Sequence, residues 1–312
     1  MKIASRRTPI GDRLCFADVV PQHLLDVQAA HVRRQEYGGV RRLDALEHSA
    51  RVIVQDLPGL LRSDPELEST RRLFEWSVEH ADTGVLDEDC LWPDRPGLLG
   101  PPIGSPRTIW CMLANYPRRR SAPDEVALRP PALQGCLKAP GSLAGPHDEL
   151  QHPSISDRVD PEMELAVVIG RHARRLVPEN AMRALAGYIG FCDVGSRDVS
   201  ERDNNRMDRG KGFDTYGICG PWFVTADEIT DPHSLRIRQW VNGVVRQDGS
   251  TAEMVHSIPE QLAWLTAALT LAPGDVLSTG TPAGHGAVRS GDVVRGEVEG
   301  LGVVENKVVL DD

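Results

Sequence analysis

In DPEMELAVVIG, residues 160–170, the stretch from Glu162 to Gly170 reads as a β-strand that carries two acids, Glu162 and Glu164, two positions apart. Successive side chains on a strand alternate between faces, so both carboxylates point the same way. Their neighbours Met163, Leu165, Val167 and Ile169 supply apolar packing. Two adjacent carboxylates repel, and each resists ionising when buried alone. A hard divalent cation resolves that repulsion, and carboxylate oxygen is the ligand that Mg²⁺, Mn²⁺ or Ca²⁺ prefers. The spacing also fits a plain solvent-facing strand, so the pair alone does not decide its use.

Working outward, Tyr188 to Val194 reads as a second strand, with Ile189, Phe191 and Asp193 on one face. An acid after two apolar residues either turns into solvent or points at something cationic. Gly195 to Asp198 reads as a turn, and Arg209 to Asp214 (RGKGFD) as a loop holding a glycine-flanked Lys211. Lysine is scarce here. Lys2, Lys138, Lys211 and Lys307 are the only ones among 35 basic residues, so a retained lysine suggests a wanted compact ammonium. A third cluster, STGTPAGHG at 278–286, is a strand running into a glycine-rich turn. Its hydroxyls and free N–H groups suit an anion, although a simple tight turn has the same composition.

The rest of the chain supplies more strands. Thr108 to Leu113 is one; Leu235 to Arg246 forms two around Asn242-Gly243, the sequence of a type I′ hairpin. Val293–Val298 and Val303–Val309 close the chain. Helices are predicted at 178–187 and after the capping box Ser257-Ile258-Pro259-Glu260, with Leu262, Leu265 and Leu269 buried. Residues 1–98 read as more helical. There Asp64-Pro65 opens a helix that places Leu67, Phe74 and Val78 on one face, with Trp76 beside it. A Pro/Gly-rich linker at 99–107 leads into 108–312 as the metal-binding catalytic domain. The fold class expected is mixed α+β, β-dominated. Pro117 to Pro131 reads as a surface loop or lid; its Arg118–Arg120 run is either a solvated face or a clamp for an anionic substrate.

Composition excludes several classes. With 312 residues, 40% hydrophobic and 26% charged, the chain is that of a soluble globular protein rather than a disordered one. It has no apolar run of about 18 residues to span a membrane, and no apolar stretch behind its basic N-terminus to form a secretory signal. A formal charge of −10 argues against a nucleic-acid binder. Cysteines at 15, 90, 111, 136, 192 and 219 form no C-x-x-C pair. Buried reduced thiols in a cytoplasmic protein are expected.

Five blocks together are more specific than any one: DPEMELAVVIG at 160–170, GYIGFCDVGSRD at 187–198, RGKGFDTYGICGPW at 209–222, LRIRQWVNGVVRQDGST at 235–251 and LAPGDVLSTGTPAGHG at 271–286. From about residue 108 onward the chain closely resembles the fumarylacetoacetate hydrolase family. The first hundred residues match that family's variable N-terminal region only in length and position. The resemblance implies a β-sandwich roll with short helices and a smaller helical N-terminal region, assembled as a homodimer. It implies Glu162, Glu164 and Asp193 as ligands of Mg²⁺ or Mn²⁺, Lys211 as the active-site lysine and Thr281 as a substrate contact. It also implies Arg197 as an arginine that is either structural or near the site, and a small anionic oxo acid as substrate.

One departure matters. Hydrolytic members carry Asn-Tyr-x-x-His-x-x-Glu, whose His–Glu pair activates water; here the run is Asn115 to Ala122, with Arg119 and Ala122 at those positions. Arginine stays protonated and cannot act as a base. Asp124, Glu125, His147, His152 and His285 are possible replacements. Metal-dependent hydrolysis of a C–C bond in a 2-oxo or β-dicarbonyl acid, through a metal-held enolate, is expected on family frequency. Tautomerisation, isomerisation or decarboxylation, which need no water nucleophile, comes next. A non-catalytic homologue is the alternative of another class.

Overall fold

The computed structural model describes residues 1–117 and 132–311. Arg119, with the rest of the expected lid from Arg118 to Pro131 and the acids Asp124 and Glu125, lies outside the described residues.

Met163–Ile169 is buried along its whole length and runs antiparallel to both Leu185–Asp193 and Val276–Ser278. Alternation decides what each face meets. Met163, Leu165, Val167 and Ile169 enter one core with Ile237, Val294, Val298 and Val304. Ala166 and Val168 enter another, with Ile3, Phe16, Leu57 and Phe191. The first core is shared with a second sheet ordered Val244–Ser250, Arg236–Val241, Val293–Val298, Gly302–Asp311 and Leu150–Pro153. Two layers of strands with apolar faces inward give the strand-rich mixed α+β fold that the sequence predicts.

Local expectations hold where the chemistry is local. Asn242 and Gly243 both take positive φ, 51° and 77°, as a type I′ turn requires. Ser257 N–H donates to Glu260 at 2.7 Å and opens the helix Ile258–Ala268. Others shift. The helix expected at 178–187 is a single turn, Pro178–Ala181, followed by a 3₁₀ turn. Pairing with Met163–Ile169 draws residues from Leu185 onward into the strand.

The N-terminal region differs most from its helical reading. It begins with three strands, Lys2–Arg6, Arg13–Val20 and His23–Asp26, before the helices Val27–Tyr37, Arg42–Val52, Leu57–Ser63 and Glu68–Glu79. Lys2–Arg6 pairs with Phe223–Thr225 and so joins the sheet that holds Met163–Ile169, the strand Glu162 leads into. These short, charge-dotted strands depend on a partner more than 200 residues away, which local patterning does not register. The helix expected from Pro65 starts at Glu68, because Leu67 sits in the left-handed region at φ 54°. Asp64 still caps it, accepting from Glu68 N–H at 3.0 Å and Thr70 N–H at 2.8 Å. Its buried face uses Leu73, while Val78 is 48% exposed.

This helix is tied to the rest of the chain by Arg71, which donates to both oxygens of Asp227 at 2.6 and 3.0 Å. That hydrogen-bonded pair holds the Asp227 carboxyl at about 2, below its ordinary 3.8. The pair is partly exposed, so Arg71→Ala is expected to lower stability at neutral pH by only about 0.5–1 kcal/mol. A depressed acid stabilises the fold above its unfolded value, and that contribution fades as pH falls through about 2. Urea midpoints of the variant and wild type should therefore converge in acid; a constant gap would show that Arg71 acts by packing.

Candidate metal centre

The register that builds the sheet also builds the site. Met163 pairs with Cys192, and Asp193 N–H donates to Glu162 O at 2.8 Å. Glu162 and Asp193 therefore face each other across neighbouring strands, with Glu164 one step along the same face. One oxygen from each of the three lies within 4.8 Å of the others.

Each carboxylate has distinct support. Glu164 is fully buried and accepts from Ser278 Oγ at 2.5 Å and from Gly280 N–H at 2.8 Å. Gly280 takes φ +98°, and a Cβ there would stand 2.8 Å from Asn115 Cβ, so only glycine brings this N–H to Glu164. Asn115 braces the turn through its amide, donating to Thr279 O at 2.8 Å and accepting from His256 N–H at 2.9 Å. Glu162 accepts from Lys211 Nζ at 2.9 Å and lies 3.5 Å from Arg197 Nη2. Arg197 also reaches Asp160 at 3.3 Å. Asp193 is the most enclosed. Lys211 Nζ donates to its Oδ2, and Lys138 Nζ lies 3.0 Å from its Oδ1.

Lys138 is the residue the sequence reading passed over. It is buried and donates to the carbonyls of Lys211 at 2.6 Å, Tyr216 at 2.9 Å and Val194 at 3.1 Å. One ammonium thus fixes the backbone at Lys211 and beside Asp193. Its N–H groups point at those carbonyls, so Asp193 Oδ1 feels its charge yet remains a buried acceptor with no hydrogen bond. The available signal was its rarity, which Lys138 shares with Lys211.

Burial and the charge of Asp193 push the Glu164 carboxyl well above the usual carboxylate range. Burial acts against Asp193 too, but the ammoniums of Lys211 and Lys138 pull its carboxyl below its ordinary value. Burial alone would lower Lys211; Asp193 and Glu162 overcome this and hold it well above its ordinary range. Lys211 faces Glu162 and Asp193 as an ammonium. Three converging carboxylates, one resisting ionisation and one with an orphaned buried oxygen, fit a hard dication. With both lysines counted, the charge of the group beside a dication would be +1, where the carboxylates alone give −1. That sign favours an anion.

Thr281 stands at this site but its hydroxyl is engaged, donating to Met163 O at 2.8 Å and accepting from Gln247 at 2.8 Å. Among the proposed bases, His285 reaches the carboxylates: its Nδ1 is buried without a hydrogen bond, 3.6 Å from Glu162 Oε1. Among the described residues, no contact joins His147 or His152 to the triad. All six cysteines are free thiols. No helix among the described residues is long and apolar enough to cross a membrane.

A strand-rich sandwich with an acidic triad at the end of its central strand defines a class of enzyme, and the comparisons give the family. The family model described as fumarylacetoacetate (FAA) hydrolase C-terminal matches residues 108–309, and the chain belongs to this family. It is an enzyme of that family, whose relatives include hydrolases, isomerases and tautomerases. The human mitochondrial oxaloacetate tautomerase FAHD2A is 39% identical over 258 residues, 79% of this chain and 82% of the relative. Two solved structures match over the full length of both chains at 28% identity. One is a fumarylacetoacetate hydrolase from psychrophilic Exiguobacterium antarcticum, with TM-score 0.76. The other is maleylpyruvate hydrolase from Sphingobium sp. SYK-6 in complex with manganese(II) and pyruvate, with TM-score 0.71.

Proposed function

We propose that this enzyme interconverts the enol and keto forms of a small 2-oxo dicarboxylic acid such as oxaloacetate, with Mg²⁺ or Mn²⁺ held by Glu162, Glu164 and Asp193. The observation that carries this reading is His285 beside Glu162, in a chain whose water-activating positions hold Arg119 and Ala122. Tautomerisation moves one proton from carbon to oxygen and consumes no water, so it needs a proton carrier and no activated nucleophile. The oxaloacetate tautomerase named among the relatives supports the same choice.

The bound ion would polarise the oxo group and stabilise negative charge developing on its oxygen. The chain's own residues do the rest. Lys211, whose ammonium lies against Glu162 and Asp193, adds a positive charge at the site. His285 takes the proton from carbon and returns one to oxygen. Lys138 keeps the Lys211 backbone and Asp193 in register. Lys211 and Lys138, beside a dication held by the three carboxylates, would draw in the carboxylates of the substrate.

The test follows the ultraviolet enol band of oxaloacetate with Mg²⁺ or Mn²⁺ present and after chelation. Faster metal-dependent loss of the band, with the acid intact by chromatography, is the expected result. Release of two acids from an acylpyruvate would instead favour C–C hydrolysis, the second reading, which the maleylpyruvate hydrolase among the structural neighbours supports. No effect on either substrate would sink the proposal. His285→Ala is expected to slow the enol–keto exchange by about 10²–10⁴-fold, the usual size of a general acid–base contribution.

A further inference from the structure

Gln247 lies in the strand Val244–Ser250 of the second sheet, far in sequence from either glutamate, and is completely buried. Its side-chain oxygen accepts from Met163 N–H at 3.0 Å. Its side-chain nitrogen donates to Thr281 Oγ1 at 2.8 Å and Pro282 O at 2.6 Å. Thr281 Oγ1 in turn donates to Met163 O at 2.8 Å. The amide orientation is forced: Met163 N–H can only donate, and Pro282 O can only accept.

These bonds close a ring around Met163, the residue between Glu162 and Glu164. Both its N–H and its carbonyl are tied, one to Gln247 and the other to Thr281. The ring joins that backbone to the turn whose Gly280 N–H holds Glu164. The turn is also seated closely on the strand of Gln247, since a Cβ on Gly284 would lie 2.1 Å from Arg246 O.

We infer that Gln247 is a positioning residue for the metal centre: with Thr281 it fixes the backbone between Glu162 and Glu164, and so the spacing of the two carboxylates. This rests on the metal-centre reading given above and adds a residue whose hydrogen bonds go to Met163, Thr281 and Pro282. A buried amide making all three of its bonds to two arms of one site does more than fill space.

Mn²⁺ serves as the probe, with free aquo-Mn²⁺ measured by electron paramagnetic resonance during titration of the full-length protein. Gln247→Glu keeps the shape and the acceptor for Met163 N–H but sets a carboxylate oxygen against Pro282 O. Thr281→Val keeps the shape and removes the hydroxyl. Each is expected to fold by circular dichroism and to weaken Mn²⁺ binding by about tenfold or more. The double variant should lose little beyond the larger single loss, because both break one ring. Thr266→Val, at an equally buried threonine whose hydroxyl bonds Leu262 O and Leu176 N–H in the helix Ile258–Ala268, should lose stability with Mn²⁺ affinity unchanged. If Gln247→Glu fails to fold, Thr281→Val carries the comparison. Folded ring variants with wild-type Mn²⁺ affinity, or losses that simply add, would overturn the inference while leaving the metal centre in place. A wild-type protein that takes up no Mn²⁺ would overturn both.

Discussion

Asp193→Asn is expected to abolish Mn²⁺ or Mg²⁺ binding and, with it, turnover. Asp193 is fully enclosed, with Lys211 on one oxygen and Lys138 3.0 Å from the other. Its charge holds two ammoniums in one buried space. An amide keeps the shape but supplies no negative charge and turns one end into a donor that faces a lysine. Breaking a buried ion pair by removing one partner costs about 3–5 kcal/mol. The variant should therefore unfold at clearly lower urea concentration, besides losing one of three ligands. Isothermal titration with Mn²⁺ and urea denaturation measure the two effects separately. A variant that binds Mn²⁺ like the wild type would remove Asp193 from the centre, whatever its stability.

Lys211→Met should behave in the opposite way toward metal. Its ammonium now contacts both Glu162 and Asp193. Without it, a dication meets Glu162 and Asp193 relieved of the nearest competing cation, with Lys138 and Arg197 still in place, so Mn²⁺ affinity should hold or rise. Turnover should fall by about 10²–10³-fold, as on removing one preorganised group that stabilises developing negative charge. The lost rate should lie mainly in kcat, because that charge forms only in the transition state. Methionine suits the apolar stem and leaves the Lys138 contacts to the main chain at position 211 intact. Equal turnover in variant and wild type would show that Lys211 only braces the carboxylates.

Much of this site was legible in the chain. Period-2 alternation at 162–164 put both glutamates on one face, and the apolar pattern before Asp193 left it either turning into solvent or aimed at a cation. The same logic found the Asn242-Gly243 hairpin and the Ser257 capping box, whose physics is contained within a few residues. The scarcity of lysine flagged Lys211. It flagged Lys138 equally, but nothing nearby tells that Lys138 reaches Asp193 across 55 residues of chain. Gln247 gave no signal of its own, since a glutamine on a hairpin strand is ordinarily a solvated residue.

The amino-acid order alone therefore determined the strand that Glu162 leads into and that carries Glu164, the strand-rich class of the fold and the missing His–Glu pair at 119 and 122. Tertiary structure decided the rest. Pairing of Met163 with Cys192 brought Asp193 opposite Glu162, and pairing of Ile3 with Phe223 turned the first residues into sheet. Packing of the second sheet delivered Gln247 to Met163, and burial set Lys138 beside Asp193. The reason is one of range: side-chain alternation and turn chemistry act over a few bonds. Register between distant strands and the ionisation of enclosed groups depend instead on the whole core closing around them.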